Sequence, residues 1–184
     1  MTLAWSRDRK LPPSGRFIRL SHLRKLRGCE QVAAVCYRVR NRCIEFLLIQ
    51  TRAGRWTFPK GGAEPGLTHA QAAALEAFEE AGVHGRMEEA SFARYSRRQP
   101  GGKRGSTTEL SVSAHLCEVT RLDPPQESNR NRTWFSPEKA KQCLRENRES
   151  AYGTALARVI DRAAARIHLL QSRAFADSST IRYK

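Results

Sequence analysis

The chain has 184 residues and a mass of 20.8 kDa, enough for one domain that buries roughly 70% of the surface its unfolded form exposes. Hydrophobic residues make up 40% and charged residues 28%, which excludes wholesale disorder, a collagen-like repeat and a disulfide-dominated miniprotein. Lysine and arginine total 33 against 18 acids, a net charge of +15 with a pI of about 10.5. The long-range field therefore favours a polyanionic partner: a phosphate-rich small molecule, RNA or an anionic membrane surface.

The longest strongly apolar stretch, Ile44 to Ile49, is far shorter than the roughly 20 residues that span a bilayer, and mean hydropathy is −0.60; no transmembrane helix is expected. The five cysteines, Cys29, Cys36, Cys43, Cys117 and Cys143, are odd in number and include no C-x-x-C pair. They suggest neither a disulfide framework nor a zinc ribbon, and read as small apolar side chains in a reducing cytoplasm.

The first segment, residues 1–27, carries eight cations against Asp8 alone and is expected to be a basic arm, either a targeting segment or a tail that meets the domain or its substrate. The domain itself is expected over 28–172. Glu30 to Val39 and Cys43 to Gln50 are rich in branched and aromatic residues and read as paired strands joined by a tight turn at Arg40-Asn41-Arg42. Trp56 to Phe58 is a third short extended piece, stopped by Pro59-Lys60-Gly61-Gly62. Thr68, with Gln71 three residues on, forms a helix-start signal ahead of Ala70 to Ala81, and Gly82 supplies the stop.

Phe92 to Gln99 and Thr107 to Thr120 read as strands flanking a basic Gly-rich loop, and Arg132 to Phe135 as another. Ser136 and Pro137 then open a helix. A further helix from about Ala151 to Leu170 repeats apolar residues at a spacing that buries one face, and residues 173–184 are expected to be a flexible tail. Helices lie between and after antiparallel strands, so the fold class is α+β, a layered sandwich rather than a regular βαβ repeat.

The chemistry is concentrated on one helix. At about 100° per residue, Glu76, Glu79 and Glu80 project within an arc of about 100°. Three like charges that close repel unless a cation sits among them. In a chain this basic the acids are scarce, and the opposite side, through Ala74, Phe78 and Ala81, would dock the helix. Hard oxygen donors so clustered suit Mg²⁺ or Mn²⁺. Gly61, Gly62 and Gly66 let the preceding loop approach a ligand or metal closely.

Gly61 to Val83, GGAEPGLTHAQAAALEAFEEAGV, resembles the Nudix box, whose family pattern is G-x5-E-x7-R-E-U-x-E-E-x-G-U. Gly61, Glu76, Glu79, Glu80, Gly82 and Val83 fall on family positions, whereas Leu67 and Leu75 replace an acid and an arginine that pair in the family. A Leu67–Leu75 contact is expected to take over that bracing role, since apolar residues often replace a buried ion pair without loss. Around the box, Trp56 to Gly62 and Arg132 to Phe135 resemble the diphosphoinositol polyphosphate phosphohydrolase branch, which also handles dinucleoside polyphosphates.

The resemblance implies the Nudix α/β/α sandwich, with a mixed sheet between helices, and a pyrophosphohydrolase dependent on Mg²⁺ or Mn²⁺. By position it makes Glu76 and Glu80 metal ligands, Glu79 a third ligand or the base that orients water, and Gly61 a carbonyl donor. Arg52, Lys60 and Arg130 match phosphate-binding positions of the branch; Arg55 and Arg132 stand beside them in sequence, and Lys103 and Arg104 are candidates for a phosphate clamp on the Gly-rich hairpin. The expected substrate is a phosphate-rich small molecule, a diphosphoinositol polyphosphate or dinucleoside polyphosphate. An RNA 5′ end and a non-catalytic binding module on the same fold are the alternatives. No H-E-x-x-H, Walker loop or G-x-S-x-G occurs, which leaves zinc hydrolase, P-loop and serine hydrolase chemistry without support.

Overall fold

The structure, a computed structural model, describes residues 30–100, 107–127 and 130–180. The expected basic arm, and Lys103 and Arg104 on the hairpin, lie outside the described residues.

The first two strands, β1 (Glu30–Arg40) and β2 (Cys43–Gln50), form an antiparallel hairpin with Tyr37 opposite Phe46 and Arg40 opposite Cys43. Asn41 and Arg42 both take positive φ (50° and 64°), the two-residue geometry whose twist matches that of the flanking strands. After β3 (Trp56–Thr57), the stretch expected to be only a stop contains a short strand, β4 (Lys60–Gly62), that pairs antiparallel with β1. Glycines hid it, because strand propensity reads side chains whereas β4 is held by backbone pairing to an already buried strand.

Helix α1 (His69–Ala81) has the expected capping box: the Thr68 side chain accepts from Gln71 N–H and the Gln71 side chain accepts from Thr68 N–H. It ends at Gly82, in the left-handed region at φ 60°. A strand not anticipated, β5 (Val83–Met87), follows at once; Gly85 and a register shift at His84/Gly85 broke its alternation. Next come β6 (Ala93–Pro100), β7 (Thr107–Leu122) and β8 (Arg132–Phe135), then α2 (Pro137–Arg145), capped by Ser136, and α3 (Ser150–Thr180). The last helix runs through Thr180, inside the stretch expected to be a tail.

These strands build one mixed sheet in the order β3-β2-β1-β7-β5, with β4 on β1, β6 on β7 and β8 on β2. The β1–β7 pair is parallel, from Glu30 opposite Ser111 to Tyr37 opposite Glu118. Central β1 is covered on both faces, which explains its unbroken apolar run. Val32, Ala34 and Cys36 pack toward α1, while Ala33, Val35 and Tyr37 pack into the larger core beneath α2 and α3 with Phe46, Leu48, Leu156 and Ile160. This is the α/β/α sandwich expected from the sequence. Trp134 and Phe135 split in the same way, packing against opposite cores. Cys36, Cys117 and Cys143 are buried free thiols, whereas Cys43 is exposed at the hairpin end, contrary to a core role.

The α1 stop is sterically demanding. A Cβ at Gly82 would stand 1.9 Å from the Asp123 carbonyl oxygen in a backbone conformation that L side chains rarely adopt. Gly82→Ala is expected to destabilise the fold by about 3 kcal/mol, read as a lower denaturant midpoint with an unchanged slope.

Candidate functional site

The docking face of α1 is built from alanines. Ala72, Ala73, Ala77 and Ala81 are buried in one core with Val32 and Ala34 of β1 and Leu47 and Ile49 of β2, while Ala74 and Phe78 are only half-buried. The carboxylates therefore flank the docking face rather than oppose it. That placement explains why Glu80 is only 4% exposed and why Glu76 and Glu79 are half-buried.

Each carboxylate meets a different environment. Glu80 Oε2 accepts the Lys60 backbone N–H at 2.9 Å, and its Oε1 lies 2.5 Å from Arg130 Nη2. Arg130 also donates from Nε to Glu127 Oε2 at 2.8 Å. Burial pushes the Glu80 pKa up, and the Lys60 N–H, Arg130 and the Lys60 ammonium pull it back only in part. Glu76 stands against Gly61 so closely that a Cβ there would come within 1.7 Å of its Oε1. Burial, followed by repulsion from Glu80, Glu79, Glu127 and Glu64, raises the Glu76 pKa to about 7. Glu64 and Glu127 are acids of this cluster that helical spacing did not reveal, because loops bring them in.

Among the described residues no three His, Cys, Asp or Glu side chains are already gathered as a metal-holding group. The donors nonetheless fit a hard divalent cation: carboxylate oxygens crowded by like charge, beside a glycine cradle that any side chain would fill. Leu67 is 39% exposed and belongs to neither core, so the expected Leu67–Leu75 contact is not a buried brace.

A cavity of about 370 Å³ opens on the other side of Lys60. Its lining includes Arg55, Lys60, Arg97, Arg98 and Arg148, with Glu149 as its one acid. None of the three α1 carboxylates lines it; Lys60 connects the two regions, with its N–H on Glu80 and its side chain in the cavity. Burial lowers the Lys60 pKa to about 8, with Glu80 opposing and Arg97, Arg130 and Arg148 reinforcing the shift.

The cations named from sequence thus separate. Arg55 and Lys60 line the cavity, and Arg130 sits on the carboxylate cluster. Arg52 is exposed in the turn after β2 and outside the cavity lining. Arg132 is spent on structure, donating from Nη1 to the carbonyls of Ala81 and Asp123 where α1 ends. Arg97, Arg98, Arg148, Thr57 and Tyr152 were missed. The adjacent arginines of β6 were a visible signal; Tyr152, on α3, and Arg148, in the loop before it, reach the cavity only through tertiary placement.

The NUDIX domain family model matches residues 30–158. The chain belongs to the NUDIX family. This Nudix chain is accordingly of the pyrophosphohydrolase class. Among solved structures it is similar to an Ap4A hydrolase of C. elegans at 22% identity and TM-score 0.53, covering 76% of this chain and 98% of that one. A Nudix hydrolase described as putative from Listeria monocytogenes aligns at 20% identity and TM-score 0.55, over 74% and 94% of the two chains. The NUDIX domain of Shewanella oneidensis NrtR, solved with ADP ribose, aligns at 14% and 0.55, over 82% and 99%. At these identities the likeness is one of fold.

Glu76 links the site to stability. Its folded pKa of about 7 exceeds the ordinary 4.5, so the native state holds the extra proton between those values and stability falls as pH rises through that window. Glu80 shifts in the same direction. In EDTA, the melting temperature of the Nudix chain is expected to fall from pH 5 to pH 7.5, and Glu76→Gln to flatten that slope, as followed by thermal denaturation.

Proposed function

We propose that this Nudix chain is a divalent-metal-dependent hydrolase that cleaves a phosphoanhydride bond in a small, highly phosphorylated molecule, of the dinucleoside polyphosphate or diphosphoinositol polyphosphate class. The observation that carries this reading is the join at Lys60, where a crowded carboxylate face and a cation-lined cavity share one residue.

Glu76 and Glu80, with a backbone carbonyl at Gly61 in β4, are the groups that would hold Mg²⁺ or Mn²⁺. Such an ion, when bound, neutralises phosphate oxygens and lowers the pKa of water. Glu79, half-buried at the edge of the cluster, is the residue to take the proton of the attacking water. Arg130 balances the carboxylates through Glu80 and Glu127. Arg55 and Lys60 orient the phosphate chain by charge-assisted hydrogen bonds, which exceed neutral ones in strength. Holding the chain across Lys60 is the orienting contribution, since phosphoryl transfer depends chiefly on positioning and charge stabilisation.

A substrate panel with Mg²⁺ and Mn²⁺ tests this directly: turnover of at least one phosphoanhydride compound is expected, and Glu80→Gln should reduce kcat by about 10² or more. Binding of several panel members without any turnover would favour the non-catalytic alternative. Gly61→Ala is a sharper probe. The added methyl meets the far end of a flexible side chain, so the variant should fold with little change in melting temperature while losing most of its turnover.

A further inference from the structure

The floor of the cavity holds polar groups that the protein does not satisfy. Thr57 is 2% exposed, and its Oγ1 is buried without a hydrogen-bond partner. Arg148 donates from Nη2 to the Trp56 carbonyl and lays its guanidinium over the Tyr152 ring at 5.5 Å, yet its Nε is also buried and unpartnered. A buried polar group left unpaired costs about 1–3 kcal/mol, so each such atom in a folded protein calls for a water or ligand. Above this floor, Arg55, Arg97 and Arg98 make no side-chain hydrogen bond or ion pair among the described residues, and Glu149 is the single acid in the lining.

These features select the chemistry of the occupant. A neutral sugar would leave five cations facing one acid. A nucleobase would seek the Tyr152 ring, over which Arg148 already lies. A phosphoryl group supplies negative charge and several acceptors at once, matching a hydroxyl donor and a guanidinium fork.

Resting on the hydrolase reading above, we propose that this cavity is a subsite for a substrate phosphoryl group other than the one attacked, held by the Thr57 hydroxyl and the Arg148 guanidinium, with Arg55 and Arg97 neutralising its charge. The moiety beyond the scissile anhydride therefore carries phosphate of its own, and Lys60 lies between the two phosphate positions. Thr57 Oγ1 and Arg148 Nε are both buried from solvent, so binding includes a turn of the Arg148 side chain from the Trp56 carbonyl toward the phosphate.

Inorganic tripolyphosphate titrated calorimetrically into the full chain in EDTA tests this subsite without metal. Wild type is expected to bind, and Thr57→Val, Arg148→Gln and Arg148→Lys each to weaken binding about tenfold, the loss of one charge-assisted hydrogen bond. Arg162→Gln, exposed on α3 and outside the lining, should bind as wild type does. Thr57→Val should also melt at a higher temperature than wild type without ligand, because it removes an unsatisfied hydroxyl; a lower melting temperature together with weaker binding would count against the proposal. Absent binding by wild type, or wild-type affinity retained in both Thr57→Val and Arg148→Lys, overturns it. A chain that hydrolyses nothing yet shows the expected pattern keeps the subsite and loses the hydrolase reading. One that hydrolyses its substrate with affinity untouched by these variants does the reverse.

Discussion

The hydrogen bond from the Lys60 backbone N–H to Glu80 Oε2, at 2.9 Å, is the constraint on which the site depends. Lys60 belongs to β4 and is fixed in register opposite Ala33 of the central strand, so this bond ties α1 to the middle of the sheet at one height. Glu80 is nearly buried, and a buried carboxylate without donors would be strongly unfavourable. The N–H and Arg130 make its position tolerable. Glu76, one turn earlier, is then set against Gly61, and Lys60 also lines the basic cavity while its ammonium stays within electrostatic reach of Glu80.

The electrostatics follow from this geometry. Acids predominate on one side of Lys60 and cations on the other, with Arg130 set among the acids and Glu149 among the cations. On the acidic side, burial and then repulsion from neighbouring acids hold Glu76 partly protonated near neutrality; on the basic side, burial and neighbouring arginines make the Lys60 ammonium easier to discharge. Each side is destabilised by what the other kind of ligand brings. A cation relieves the first and a polyanion the second, so a metal-bound polyphosphate is complementary to both. This is the arrangement expected of a surface shaped for binding charge rather than for stability alone.

Much of this was legible in the residues. The Thr68–Gln71 box and Gly82 located α1, Ser136-Pro137 located α2, and the runs EQVAAVCYRV and CIEFLLIQ gave the central hairpin. The Glu76/Glu79/Glu80 arc followed from helical periodicity alone. What stayed hidden depended on tertiary placement. β4 carries two glycines and is a strand by pairing, and β5 is broken by a bulge. Arg132, ahead of the Trp134-Phe135 strand in sequence, is turned to the end of α1 by the path of β8, whereas Arg148, distant from the box in sequence, is carried to the cavity by the loop between α2 and α3. Local patterns report the direction of a side chain within its own element; they do not report which element lies across from it.

The two sides of the sheet are filled unequally. Beneath α2 and α3 lie Phe46, Phe58, Leu144, Leu156 and Ile160, whereas α1 rests on the sheet almost wholly through alanines. Bulky interiors accommodate volume-conserving exchanges by repacking, but a methyl-lined seam has nothing to rearrange. Any branched residue at Ala73 or Ala77 acts as a spacer that lifts the helix bodily and separates acid from turn. Sequence drift in this protein should accordingly run freely through the thick layer and be nearly frozen in the thin one, although no alanine there ever meets a substrate.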